Sequence, residues 1–107
     1  MDIVLKGRGV RITDQLRKTA EHKLAKIARV DPRVLRLDVE ITLERNPRIG
    51  GTHHVEVSCS SGRHIFRAEA SGHAVDAALD QVVEHLERQI TSYRGKLRDR
   101  RQSGPMG

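Results

Sequence analysis

The run VDAALDQVVEHLERQITSYRGKL, residues 75–97, sets Val75, Leu79, Val82, Leu86, Ile90, Tyr93 and Leu97 at steps of three and four. That spacing draws one apolar stripe along an α-helix of about six turns. Its charges are sorted. Asp76, Asp80, Glu84 and Glu87 occupy the first half, while Arg88, Arg94, Lys96, Arg98, Arg100 and Arg101 crowd the end. A helix with one apolar stripe has to bury it against another layer. The residues upstream supply that layer.

In the segment 63–70, Phe66, Ala68 and Ala70 alternate with Ile65, Arg67 and Glu69, which predicts a strand whose even positions face the core. Ser71 is the expected cap of the helix that follows. Ser61-Gly62 reads as a tight turn, pairing this strand with the alternating run Val55, Val57, Cys59 as a hairpin. The clearest period-two pattern is Leu37, Val39, Ile41 and Leu43 against Asp38, Glu40, Thr42 and Glu44, with Asn46-Pro47 and Gly50-Gly51 as its following loop. Further back, Leu16, Ala20, Leu24 and Ile27 mark a helix from an N-cap at Thr13 to about Arg29, stopped by Asp31-Pro32. Residues 2–8, DIVLKGR, form a short strand ended by Gly7 and Gly9.

The order is β-α-β-β-β-α, an α+β two-layer sandwich with a four-stranded sheet and both helices packed on one face. Its 107 residues suffice for one domain with a single core. The expected boundaries are a domain at 1–101 and a disordered tail or linker start at 102–107, QSGPMG.

Twenty Lys and Arg against fourteen Asp and Glu give a net charge of +6, which points to a polyanionic partner such as nucleic acid. The single cysteine, Cys59, excludes an intramolecular disulfide and fits a reducing, cytoplasmic location. No apolar run approaches membrane-spanning length, and MDIVLKGRG has no hydrophobic signal region, so no membrane partner is expected.

Enzyme chemistry finds no foothold. Gly7-Arg8-Gly9 follows a strand and precedes a helix, but the third glycine of a G-x-G-x-x-G pattern would fall at Ile12, and no Lys-Ser/Thr follows. His53 and His54 are adjacent and point to opposite sheet faces, and no C-x-x-C or H-x-x-x-H spacing completes a metal site. His54 and His64 are expected on or near the open sheet face, and His22 and His85 as exposed helix residues. Cys59 continues the apolar alternation as a core residue. Asp38, Glu40 and Glu44, near Glu56 and Glu69, form a solvated face that lacks the sheltered pocket paired catalytic carboxylates need. No catalytic residue, cofactor, metal or small-molecule substrate is therefore expected.

Positive charge gathers on the helix side. Arg17 and Lys23 border the first stripe, with Lys18, Lys26 and Arg29 further round; Arg94 and Lys96 flank the second, with Arg88 facing outward and Arg98 beyond. With Arg8 of the opening strand, these ten are the candidate RNA-binding residues, a basic surface suited to the phosphates of folded RNA. The acidic, aromatic-free sheet face argues against base stacking in the manner of RNA-recognition motifs.

The element order, the opening KGRG, LAKI at 24–27, and LERQI followed by Tyr93 and Lys96 resemble the ribosome hibernation-promoting factor family, also called ribosome-associated inhibitor A, protein Y or sigma-54 modulation protein. The resemblance runs from Asp2 to about Arg98. It implies a fold similar to double-stranded-RNA-binding domains and a translation inhibitor in the decoding channel of the small ribosomal subunit. There it would contact 16S rRNA and ribosomal proteins and block the mRNA and tRNA sites. The family's basic contact positions match Lys23, Lys26, Arg29, Arg88 and Lys96. Ala74-Val75-Asp76 replaces the family's usual Asp-Met-Tyr, and His85 and Ser92 stand at two usually basic positions, so the first helix is expected to carry much of the contact. Long members add a C-terminal dimerisation domain. This chain is expected to be a short form or an isolated N-terminal domain, homodimeric only through such a domain. The alternatives are a general double-stranded-RNA-binding module or a protein-interaction regulator of transcription.

Overall fold

In a computed structural model the described residues are 1–46 and 50–102, with side chains described for 1–45 and 51–96. The order is β1 (Asp2–Arg8), α1 (Asp14–Val30), β2 (Val34–Asn46), β3 (Gly50–Ser61), β4 (His64–Gly72) and α2 (Val75–Gln102). The strands lie in the sheet in chain order, with β1 parallel to β2 and the rest antiparallel. The α+β class and the β-α-β-β-β-α order expected from the alternation are those observed.

One register runs through all four strands. Leu5, Val39, Val57 and Ala68 form one inward row, and Ile3, Leu37, Cys59 and Phe66 another. A third joins Gly7, Ile41, Val55 and Ala70. Ala20, Leu24 and Ile27 of α1, and Leu79, Val82, Leu86 and Ile90 of α2, are fully buried over these rows. Each such large aliphatic side chain contributes about 1.5–3 kcal/mol by leaving water. Gly7 owes its identity to close approach, because a Cβ there would collide with the carbonyl oxygen of Val10 as the chain leaves β1.

Local signals are obeyed where side chains can act on them. Thr13 caps α1, its hydroxyl accepting from the Leu16 N–H at 3.1 Å. Asp31 ends the helix in an extended conformation, as a residue before proline prefers. The expected Ser61-Gly62 turn is offset by one residue. Ser61 pairs with His64, so the turn is Gly62-Arg63 with Gly62 at φ +59°. A positive φ at the first central residue alone is the type II′ pattern, whose twist suits a hairpin.

Ser71 does not cap α2. It belongs to β4, where its hydroxyl lies 2.8 Å from His54 Nδ1, and the helix starts four residues later at Val75, with the Ala74 carbonyl accepting from Ala78 N–H. The β2–β3 loop expected from Asn46 to Gly51 is shorter in the described residues, since β3 begins at Gly50. Residues 47–49, and 103–107 of the tail expected at 102–107, lie outside the described residues, while α2 continues through Gln102. Along the outer edge of the sheet, the Gln89 side-chain amide donates to the Arg67 carbonyl of β4 at 2.7 Å.

Because Leu86 is fully buried between α2 and the sheet, Leu86→Ala is expected to lower stability by about 2–5 kcal/mol. Urea denaturation should show the loss as a lower midpoint with unchanged slope.

Candidate nucleic-acid interface

The two helices run in the same sense across the sheet, tied at two points. Near the middle of α1, Lys23 Nζ meets Asp80 Oδ1 of α2 at 2.7 Å. At its end, Arg94 Nη1 donates to the Val30 carbonyl at 2.7 Å. The second contact supplies a donor to a carbonyl that the helix end would leave unsatisfied. Arg94, expected as an RNA contact, is thus already engaged in joining the helices.

The other expected contacts divide by surroundings. Lys18, Lys26, Arg29 and Lys96 are exposed, and no ion pair holds them among the described residues. At 100° per residue, Lys26 follows Lys23 on the flank of α1 that faces α2. Lys18 and Arg29 point away from the sheet, and Arg17, also exposed, lies on the opposite flank. Arg88 is exposed but held by Glu84 one turn earlier at 2.6 Å. The side chain of Arg98 lies outside the described residues.

Arg8 departs from the group. It lies on the open face of the sheet, where its Nε pairs with Glu40 at 3.1 Å. The alternation that turns Ile3, Leu5 and Gly7 inward turns Val4, Lys6 and Arg8 the other way. That face is therefore mixed, not uniformly acidic. One row across it is Lys6, Glu40, Glu56 and Glu69, and Arg36 forms a two-point pair with Asp38. His54 Nε2 lies 3.4 Å from Glu69, bringing a ring nitrogen and the carboxylates of Glu56 and Glu69 within 4.8 Å of one another. The two glutamates stand directly opposite each other, a like-charge pairing across the strands. His64 is not on this face, contrary to its expected place; its ring stacks on Tyr93 on the helix side at 4.2 Å. The period of β4 puts residue 64 in phase with Phe66 and Ala68.

Two cations outside the expected set join the end of the helix layer. Arg33 follows the helix stop and Arg63 sits in the hairpin turn, both exposed and lining one cavity with Arg94. Neither has a place in a helical stripe, so helix periodicity passes over them. Between them lies the buried carboxylate of Asp31, which accepts from Ser61 Oγ and from the Arg33 N–H at 3.0 Å. Burial alone would raise its pKa; the Ser61 and Arg33 hydrogen bonds and the charges of Arg94 and Arg33 outweigh burial and hold it below 3.8. Burial, and then the Asp31 charge, push the Cys59 thiol up to about 11, so it stays protonated and inert.

A carboxylate with a depressed folded pKa stabilises the fold above its unfolded pKa and loses that contribution as pH falls through the folded value. The cost of Asp31→Asn, about 1–3 kcal/mol near neutrality, is therefore expected to shrink as pH drops below 3.8. Urea midpoints of both proteins across an acid series measure the difference; a cost that stays constant would contradict this role.

A family model described as "Sigma 54 modulation protein / S30EA ribosomal protein" matches residues 3–98. Over 98 residues the chain is 37% identical to the ribosome hibernation promotion factor of Mycobacterium tuberculosis, covering 91% of this chain and 44% of that protein. It is 28% identical over 98 residues to the ribosome hibernation promoting factor of Escherichia coli K12, covering 92% of this chain and 98% of that one. The chain thus spans about half the length of several curated relatives, 44%, 52% and 50% for those of Mycobacterium, Deinococcus and Picosynechococcus. Among solved structures, a ribosomal subunit interface protein from Coxiella burnetii superposes with TM-score 0.75 at 20% identity, covering 89% of this chain and 99% of that one. The N-terminal domain of Thermus thermophilus Protein Y gives 0.65 at 25% identity, covering 86% and 94%.

Proposed function

Since the chain belongs to the sigma 54 modulation protein / S30EA ribosomal protein family, we propose that it binds ribosomes and holds them translationally inactive. In this reading it is a non-enzymatic, cytoplasmic factor that occupies the decoding channel of the small subunit. It grips 16S rRNA and blocks the sites of mRNA and tRNA. The observation that carries the reading is the set of exposed cations on α1 and at the shared end of the helices that have no close ion pair among the described residues: Lys18, Lys26, Arg29, Arg33, Arg63 and Lys96. Of these, Arg33 only grazes Asp31, at 3.8 Å. Cations left in water and gathered on one layer are what phosphate contacts require.

The pairing pattern refines which residues act. Lys26, Arg29 and Lys96 are free to meet phosphate, while Arg94 works within the fold. Lys23 must first leave Asp80, and Arg88 must leave Glu84. Arg8, on the far face, is left out of the helix-layer contact. Asp80 of early α2 therefore limits the contact made by α1.

Cosedimentation with ribosomes across a salt series tests the proposal. Binding should weaken with salt, with a log–log slope of roughly −0.7 to −0.9 per phosphate neutralised. Lys26→Glu with Arg29→Glu should abolish it. Asp80→Asn, which releases Lys23, should strengthen binding and steepen the slope by about one phosphate. Absent or salt-insensitive binding would sink the proposal. Equal affinity for bare duplex RNA would favour a general double-stranded-RNA-binding module, and partner binding that survives the α1 reversals would favour a protein-interaction role.

A further inference from the structure

Where α1 ends, the β3–β4 turn and α2 enclose a cavity of about 240 Å³. One wall is aromatic. His64 stacks on Tyr93 with centroids 4.2 Å apart and planes at 21°, and Phe66 meets both rings edge-on at 4.4 and 5.5 Å. The chain has a single Phe and a single Tyr, and both are here. Arg33, Arg63 and Arg94 line the same cavity.

The charges of these arginines are only partly committed. Arg94 uses one of its five N–H donors on the Val30 carbonyl. Arg33 reaches the Asp31 carboxylate only at 3.8 Å and is mostly exposed. Arg63 is exposed at the turn, with no ion pair among the described residues. Among the described lining residues the one carboxylate is Asp31, which already accepts from Ser61 and from the Arg33 backbone. Among those residues three arginines thus stand with one occupied acid, a local excess of positive charge.

Aromatic rings beside guanidiniums with donors to spare are the chemistry that holds a base by stacking and its phosphate by charge. The volume is below the roughly 300–1,000 Å³ of sites for whole small molecules. It suits one ring and not a complete cofactor. Stacking here does not need the sheet face, whose inward-turned Phe66 cannot serve as an open platform.

We propose that this cavity binds a single unpaired nucleotide, its base against the His64–Tyr93 stack and its phosphate on Arg63 and Arg33. The inference rests on the ribosome-binding reading in taking that nucleotide from an RNA strand. A free mononucleotide offers the same chemistry, so the test separates the two sources.

The isotopically labelled full chain is titrated separately with single-stranded tetra-adenylate, AMP and inorganic phosphate, and amide and aromatic NMR shifts are followed. The expected result is saturable shifts at Gly62–His64 and Tyr93 with tetra-adenylate, weaker binding of AMP, and about tenfold or greater loss of affinity in both Arg63→Ala and His64→Ala. Arg63 lies in an exposed turn, so its variant reads the site even if loss of the His64 ring disturbs packing. Tetra-adenylate shifts that are absent, lie elsewhere, persist in both variants, or are matched by phosphate alone overturn the proposal. AMP binding as tight as tetra-adenylate overturns the RNA source. Wild-type cosedimentation with ribosomes is scored alongside. Its loss overturns the ribosome reading and leaves the titration to decide the cavity.

Discussion

The molecule depends on a single register held across four strands. Side chains alternate with period two, so sliding β2 by one residue against β3 would turn Leu37, Val39 and Ile41 to water and bring Asp38 and Glu40 into the core. With the register kept, three apolar rows face one way and a charged surface faces the other. Both helices must then lie on the apolar side, since it alone offers burial for their stripes. The shared helix layer, the common end of the helices and the cations gathered there all follow from that alternation.

Much of this was legible in the residues. Leu37–Glu44 and Val55–Cys59 announce strands, and the spacing from Val75 to Ile90 announces a helix, because burial on one side leaves a period in the sequence. What escaped was contact between elements distant in sequence. Nothing local to Lys23 reveals Asp80, 57 residues away, or shows that Arg94 reaches Val30, 64 residues away. Ser71 has the chemistry of a cap yet meets His54, because β4 continues past it. The side on which His64 falls depends on the length of a two-residue turn, which alternation alone does not fix. Charge alone places Arg8 with the helix cations and says nothing of sheet face.

The electrostatic picture consequently differs from a count of basic residues. The net charge of +6 is not spread over the surface. On the sheet face, Arg8, Arg36 and His54 stand beside carboxylates, and between the helices Asp80 of α2 holds Lys23 of α1. Uncompensated charge remains on the outer side of α1 and where the helices end. Surface pairs of this kind add little stability, about 0–1 kcal/mol each. Their larger effect is on which cations are available to a polyanion.

The contact from Gln89 to the Arg67 carbonyl has a consequence for crowding. β4 is an outermost strand, and a bare strand edge invites pairing with the edge of another copy. A side chain from α2 occupies one of its backbone acceptors, and Glu69 and Arg67 place charge beside it. The helix that covers the core thereby also fences the sheet, making runaway edge-to-edge stacking harder when many copies accumulate.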